Sequence, residues 1–387
     1  MVLNSPSAVG LVLLTMCVSV WKVLVLGALL PGVLNSPASR YQDVAPPWKR
    51  LEEELKDDFV MNDALKRGAI DDSNYRWPSS VKGGKTVVKI PYVIGGMSTA
   101  HKDAISRAVA EYNAKTCIRF VPRAKESDYL KIQTGIGCNA EIGRKGGVQY
   151  MILGKNCQFK GKVLHEMMHT LGFLHEQCRQ DRDKYVAVHL GQVRTGFIHN
   201  FDKYSTQNVV SEYDLHSVMH YSNNAFAKGS SPTITAKNNP GMKLGSKNDF
   251  SKLDLKRINT LYGCSEANDD YENYDVTVVT NGGFFPEGEG TDAYVYFELV
   301  GKDGRKSGES DIASGGYEND FERGKTENFL VAFKYVGEIA HLKVRLEQRS
   351  SLDAWKIDKI VIKDPRSKII KTFTYSKWIK PGKTYTL

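Results

Sequence analysis

The stretch His165-Glu-Met-Met-His-Thr-Leu-Gly-Phe-Leu-His175 constrains this chain more than any other. His165 and His169 are four residues apart, so on a helix both imidazoles leave one face, a turn apart. Two neutral imidazoles placed this way can hold one Zn²⁺ at about 2.0–2.1 Å each. Gly172 permits the positive φ that ends a helix and turns the chain. That turn lets His175 come back as a third ligand. Three protein ligands leave one coordination position open, which marks a catalytic rather than a structural zinc site. Glu166, next to the first ligand, can then serve as general base. The other histidines, His101, His189, His199, His216 and His341, read as surface or satisfied core residues.

The rest of the chain surrounds this element. Of 387 residues, 41% are hydrophobic and 25% charged, which excludes a fibrous or largely disordered chain and points to more than one domain. Ala8–Val20 and Val23–Leu34 are apolar, split by Trp21 and Lys22. Joined into one membrane span they would bury Lys22 at about 2.5–3.5 kcal/mol, so 1–38 is expected to be a signal peptide cut near Ala38 or Ser39. The protein is then secreted. Residues 39–67 are charged and end in Lys66-Arg67, the pattern of a propeptide cleaved before Gly68. Loss of the leader takes Cys17 and leaves Cys117, Cys138, Cys157, Cys178 and Cys264. In an oxidising compartment that means two bridges and one thiol left over.

From Trp77 the pattern becomes globular. Val87–Val93 alternates as a strand, and Ala100–Ala114 has helical spacing with Ser98 or Thr99 as its cap. Ile118–Val121 and Leu130–Gln133 read as short strands, and Lys162–His175 as the next helix. The acidic run Glu266–Asn273 reads as a linker, placed at 267–272. Beyond it Tyr274–Val279, Ala293–Val300 and Leu342–Leu346 alternate between glycine-rich turns, which predicts an all-β sandwich over 273–387. The expected fold class is α+β: a two-lobed protease-type domain over 68–266, then the sandwich.

Downstream of the histidines, Ser217-Val-Met-His-Tyr221 extends the pattern, which resembles the metzincin zinc proteases. Together with Gly172-Phe-Leu-His-Glu176 and Asp181-Arg-Asp183, it is similar to the astacin family from Tyr75-Arg-Trp77 to Leu261-Tyr-Gly-Cys264. The resemblance implies a zinc endopeptidase of peptide and protein substrates, with His165, His169 and His175 as ligands and Glu166 as general base and acid. It makes Tyr221 a further, displaceable zinc ligand that stabilises the oxyanion, and Met219 a support beneath the metal. Glu176 would accept the ammonium of the processed N-terminus near Gly68 or Ala69. The implied bridges are Cys117 to Cys264 and Cys138 to Cys157. Cys178 has no partner in that pattern and is expected buried and unpaired. The family's propeptide Asp that blocks the zinc has its nearest match in Phe59-Val-Met-Asn-Asp63, which makes Asp63 a candidate latency ligand.

Residues 273–387 resemble a PLAT (lipoxygenase homology) domain through Gly290–Val295, Phe321–Thr326 and Trp355–Ile362. This implies a membrane lipid or protein partner, with Ca²⁺ as a candidate second metal and Asp292 as its candidate ligand. Phe284 and Phe285 are candidates for dipping into an interface. Residues 68–267 hold 28 basic and 17 acidic residues, a net of +11, whereas 268–387 hold 18 and 20, a net of −2. The positive charge thus belongs to the protease domain, with no nucleic-acid motif beside it, and suggests a preference for acidic side chains in substrates. The rival reading is a non-catalytic zinc-containing adhesion or lipid-binding protein. Retention of Glu166 beside three ligands and Tyr221 argues against it.

Overall fold

The computed structural model describes residues 59–60 (backbone only), 73–204, 212–246, 248–265, 270–282, 290–312, 320–349 and 353–387. The expected signal peptide, Asp63, the Gly68 end, Phe284 and Phe285 lie outside the described residues. No helix among those described is long and apolar enough to cross a membrane.

The first lobe is a seven-stranded sheet with two helices. Its strands are β1 (Phe59–Val60), β2 (Ser79–Lys82), β3 (Lys85–Ile94), β4 (Ile118–Pro122), β5 (Tyr129–Gln133), β6 (Cys138–Glu141) and β7 (Val148–Leu153). β3 organises the sheet, running antiparallel to β2 and parallel to both β4 and β5. Pro91 is tolerated in this central strand for a definable reason. The Val88 N–H donates to Cys117 O, toward β4, so alternation points position 91 to the opposite side. On that side the pairing of β3 with β2 ends at Val88 and its pairing with β5 begins only at Tyr92, so no ladder bond is lost. β6 is antiparallel to β7 and borders the cleft.

Helix α1 (Thr99–Lys115) starts where Ser98 accepts a hydrogen bond from the His101 N–H. Its Ala104, Ala108 and Tyr112 recur at i+4 and enter the core with Val88, Ile90, Leu130 and Met151. Helix α2 (Lys160–Thr170) is shorter than expected: it ends at Thr170, and His175 lies in the loop beyond. Trp77 Nε1 and the Tyr262 hydroxyl donate to the carbonyls of Thr170 and Leu171, satisfying terminal groups the missing turn would have used.

The second lobe holds the ribbon β8 (Val186–Val188) and β9 (Ile234–Ala236), and helix α3 (Lys252–Leu261). α3 opens with a capping box between Ser251 and Asp254. Both expected bridges are present. Cys117–Cys264 closes 147 residues and Cys138–Cys157 closes 19; loop-closure entropy assigns them about 5 and 3 kcal/mol. Cys178 is free and buried, as expected, and burial pushes its thiol up to about 12.

The C-terminal unit is the expected sandwich of two antiparallel sheets. One runs β13 (Thr326–Lys334), β10 (Tyr271–Thr280), β15 (Trp355–Lys363), β16 (Ile370–Thr374), with β17 (Trp378–Ile379) on β15. The other runs β12 (Ser310–Asp311), β11 (Tyr294–Gly301), β14 (Ile339–Glu347), β18 (Thr384–Thr386). Trp355 fills the core between them, its Nε1 donating to Thr280 Oγ1. The expected linker is corrected at its end: Tyr271–Asn273 already pair with Lys334–Ala332, because cross-strand partners absent from the local sequence extend the strand.

Candidate metal centre and cleft

His165 and His169 leave one face of α2, and Gly172 (φ +102°) supplies the turn that brings His175 beneath them. Two carbonyls orient the rings. His165 Nδ1 lies 2.7 Å from Val218 O, and His169 Nδ1 lies 2.7 Å from Phe173 O. A carbonyl only accepts, so Nδ1 carries the proton in both and Nε2 keeps its lone pair. The three Nε2 atoms converge at 3.0, 3.2 and 3.3 Å from one another. Three nitrogens on a tetrahedral zinc at about 2.0–2.1 Å would be separated by about 3.4 Å. The donor set therefore fits zinc in type, tautomer and spacing.

Burial holds these rings in the ligating state. It pushes His165 down to about 4, and pushes His169 and His175 well below the ordinary imidazole value, with neighbouring imidazoles reinforcing both. Among the described residues, these histidines are the group arranged to hold a metal. Asp292 is exposed and joins no such group, so the structure gives the calcium expectation no support.

Glu166 is buried and lines the same cleft as His165 and Tyr221, a space of ≈ 260 Å³. Tyr221 is packed between Phe201 and Phe226, its ring centroid 4.7 Å from that of His175. Met219 is buried, and its carbonyl accepts from the Glu176 N–H at 3.0 Å. The turn Ser217–Tyr221 is fixed by Asp254, which accepts from the Ser217 hydroxyl at 2.6 Å and the Val218 N–H at 2.8 Å. Asp254 thus reaches the metal centre through Val218 and His165.

For Glu176 the expected partner, the Gly68 end, lies outside the described residues, and among the described ones Glu176 is held by arginines and a backbone N–H. Its carboxylate takes both Arg257 nitrogens at 2.8 and 2.9 Å, Arg179 at 3.1 Å and the Asp214 N–H at 2.7 Å. A small cavity of ≈ 40 Å³ adjoins Glu176, Arg257 and His175.

Two supports escaped the sequence reading. Asp254 was visible as a Ser-x-x-Asp cap before an apolar run, but nothing local ties that cap to a turn 36 residues upstream. His220, also pushed down to about 4 by burial, bonds the Tyr213 hydroxyl at 2.8 Å. Of the histidines expected to be structural, His101 is buried and satisfied by Ser98 Oγ and Gly154 O.

Comparison with known proteins places these features in context. The model of the astacin peptidase family matches residues 75–263, and that of the "PLAT/LH2 domain" matches 274–387. "Low choriolytic enzyme" of Oryzias latipes is 38% identical over 219 residues, 55% of this chain and 79% of that protein. "Embryonic protein UVS.2" of Xenopus laevis is 40% identical over 201 residues, 51% of this chain and only 38% of that longer protein. The solved structure of high choriolytic enzyme 1, a hatching enzyme zinc-protease from the same fish, is 39% identical. It covers 50% of this chain and 96% of that one, with a TM-score of 0.47.

Proposed function

The chain belongs to the astacin family of zinc metalloendopeptidases, and from that premise we propose that it is a secreted endopeptidase made as a latent precursor. The observation that carries the reading is the convergence of three Nε2 atoms within 3.3 Å of one another beside Glu166. His165, His169 and His175 would hold the zinc, which would supply Lewis-acid chemistry at the scissile carbonyl. Glu166 accepts the proton of the attacking water and passes it to the leaving amine. The Tyr221 phenol, across the cleft, donates to the oxyanion as it forms. Asp254 and Val218 hold His165 in its ligating tautomer throughout.

Latency is supported by the pairing of Phe59–Val60, from the expected propeptide, parallel to the cleft-bordering strand β6. A segment there takes an edge that a substrate chain would otherwise use. Asp63, four residues on, is proposed as the group that blocks the zinc, and cleavage after Arg67 as the step that frees the cleft. The cavity beside Glu176 supports a site for the new N-terminus, which would share that carboxylate with Arg257. Lys162 on the cleft lining supports a preference for acidic side chains. The C-terminal domain is proposed to bind lipid or a protein partner.

The test is hydrolysis of casein by the processed enzyme, with and without o-phenanthroline, alongside Glu166→Gln. Zinc-dependent cleavage that Glu166→Gln abolishes, while the variant still binds one zinc, is the expected result. A Glu166→Gln protein as active as wild type would sink the mechanism.

A further inference from the structure

The catalytic cleft does not end at the protease domain. Its rim at Ser222 and Leu244–Ser246 is also the near wall of a second groove of ≈ 570 Å³, more than twice the volume of the cleft. The far wall is the C-terminal sandwich, at Asp275–Thr277 of β10 and Asn328–Leu330 of β13. We propose that this composite groove binds an extended segment of the polypeptide substrate leading away from the scissile bond, so that the C-terminal domain selects substrates directly. The proposal rests on the endopeptidase reading above.

Both walls are fixed. On the near side, Gly245 N donates to Leu215 O and Ser246 N to Ser217 O, tying the rim to the turn that carries Tyr221. Gly245 has φ +73°, and a Cβ there would lie 2.3 Å from His220 O, so the rim tolerates no side chain at this point. On the far side, the period-two pleat of β13 puts Asn328, Leu330 and Ala332 on one face, opposite Thr277, Asp275 and Asn273 of β10. Ala332 at the end of that row is fully buried within the protease core. Opposite it in the register, Asn273 Oδ1 accepts the Lys252 N–H at the start of α3. The same face therefore begins anchored in the protease and emerges as the groove wall.

The lining suits a peptide chain. Asn224 offers a carboxamide, and the Thr277 hydroxyl donates to Asn328 Oδ1 at 2.6 Å, which fixes the Asn328 side chain with its Nδ2 as the donor for a peptide C=O. Lys243 and Asp275 present one charge of each sign, and Leu330 an apolar contact. Continuity with the cleft decides the occupant: Ser222 and Leu244–Ser246 line both spaces, so a substrate chain that leaves the cleft over this rim enters the groove.

The experiment uses the processed full chain. One bond cleaved in β-casein is mapped, and peptides are made with about three residues on each side, or with about six more on one side, roughly 20 Å of extended chain. For wild type, extension toward the groove should raise kcat/KM roughly tenfold, mainly through KM. Asn328→Arg and Asp275→Arg, both at exposed positions, should erase that gain while melting as wild type does. No gain on extension, or a gain retained in both variants, overturns the groove and leaves the protease reading standing. No cleavage of any peptide overturns both. A variant that loses binding to phosphatidylserine vesicles yet keeps the length gain also overturns it, making this face a lipid site.

Discussion

At the residue scale, the active centre works because burial keeps its imidazoles neutral. His165 and His220 are both pushed down to about 4 by burial, from about 6.5 in an open chain. Below pH 6.5 the unfolded chain takes up protons that the folded one refuses. The stabilisation is therefore complete above pH 6.5 and lost as pH falls through about 4. Urea unfolding of zinc-stripped protein should show a lower midpoint at pH 5 than at pH 7, and an unchanged midpoint would contradict this account. Tyr221 has a separable role. Tyr221→Phe keeps the ring packing against Phe201 and Phe226 but removes the donor. It should lower kcat about 10²–10³-fold with little change in KM, measured on a quenched peptide.

At the element scale, α2 and α3 have different histories of legibility. The ligand spacing on α2 was readable because a helix repeats locally and a glycine stops it wherever it occurs. Its end at Thr170 was not, since Trp77 and Tyr262 cap it from distant segments. α3 carries the opposite lesson: Asp254 closes the capping box with Ser251 and also fixes Ser217 and Val218, and that second service exists only in the fold. Asp254→Ala should weaken zinc binding about 10–100-fold, the usual cost of losing an outer support of a ligand. Competition with a chromophoric chelator measures it. Zinc affinity equal to wild type would show that the turn holds its shape unaided.

At the scale of the whole molecule, the two domains share a buried charge network. Arg107 Nε donates to Asp311 of β12 at 2.6 Å, Lys160 at the start of α2 donates to the Asp311 carbonyl, and Glu111 lies 3.4 Å from Lys160. Arg107 also stacks over Tyr294, 3.9 Å from the ring centroid. Burial would raise the Glu111 carboxyl, but the Lys115 and Lys160 ammoniums outweigh it and hold it below its ordinary value. Its contribution is thus present above about pH 4.5 and lost in stronger acid. Asp311→Ala takes the carboxylate from Arg107 in a buried interface, while Lys160 keeps the backbone carbonyl of position 311 and Glu111, and should cost about 3–5 kcal/mol. Calorimetry should then resolve separate melting of the two domains where wild type gives one transition; a single unshifted peak would refute the coupling.

The sequence by itself determined what is local or strictly spaced: three histidines spaced around a helix and a glycine to hold a metal, a glutamate beside them, and a sandwich of alternating strands. It could not assign the row Asp103, Arg107, Glu111, Lys115. Spaced by four on α1, these residues have the pattern of a solvated helix face. In the fold, Arg107, Glu111 and Lys115 are each at most 7% exposed. Asp311 covers the row and Asp249 pairs with Lys115. Whether a charged face meets water or another domain depends on surfaces hundreds of residues away, and only tertiary packing brings them together. The same docking sets the wall of β10 and β13 beside the cleft.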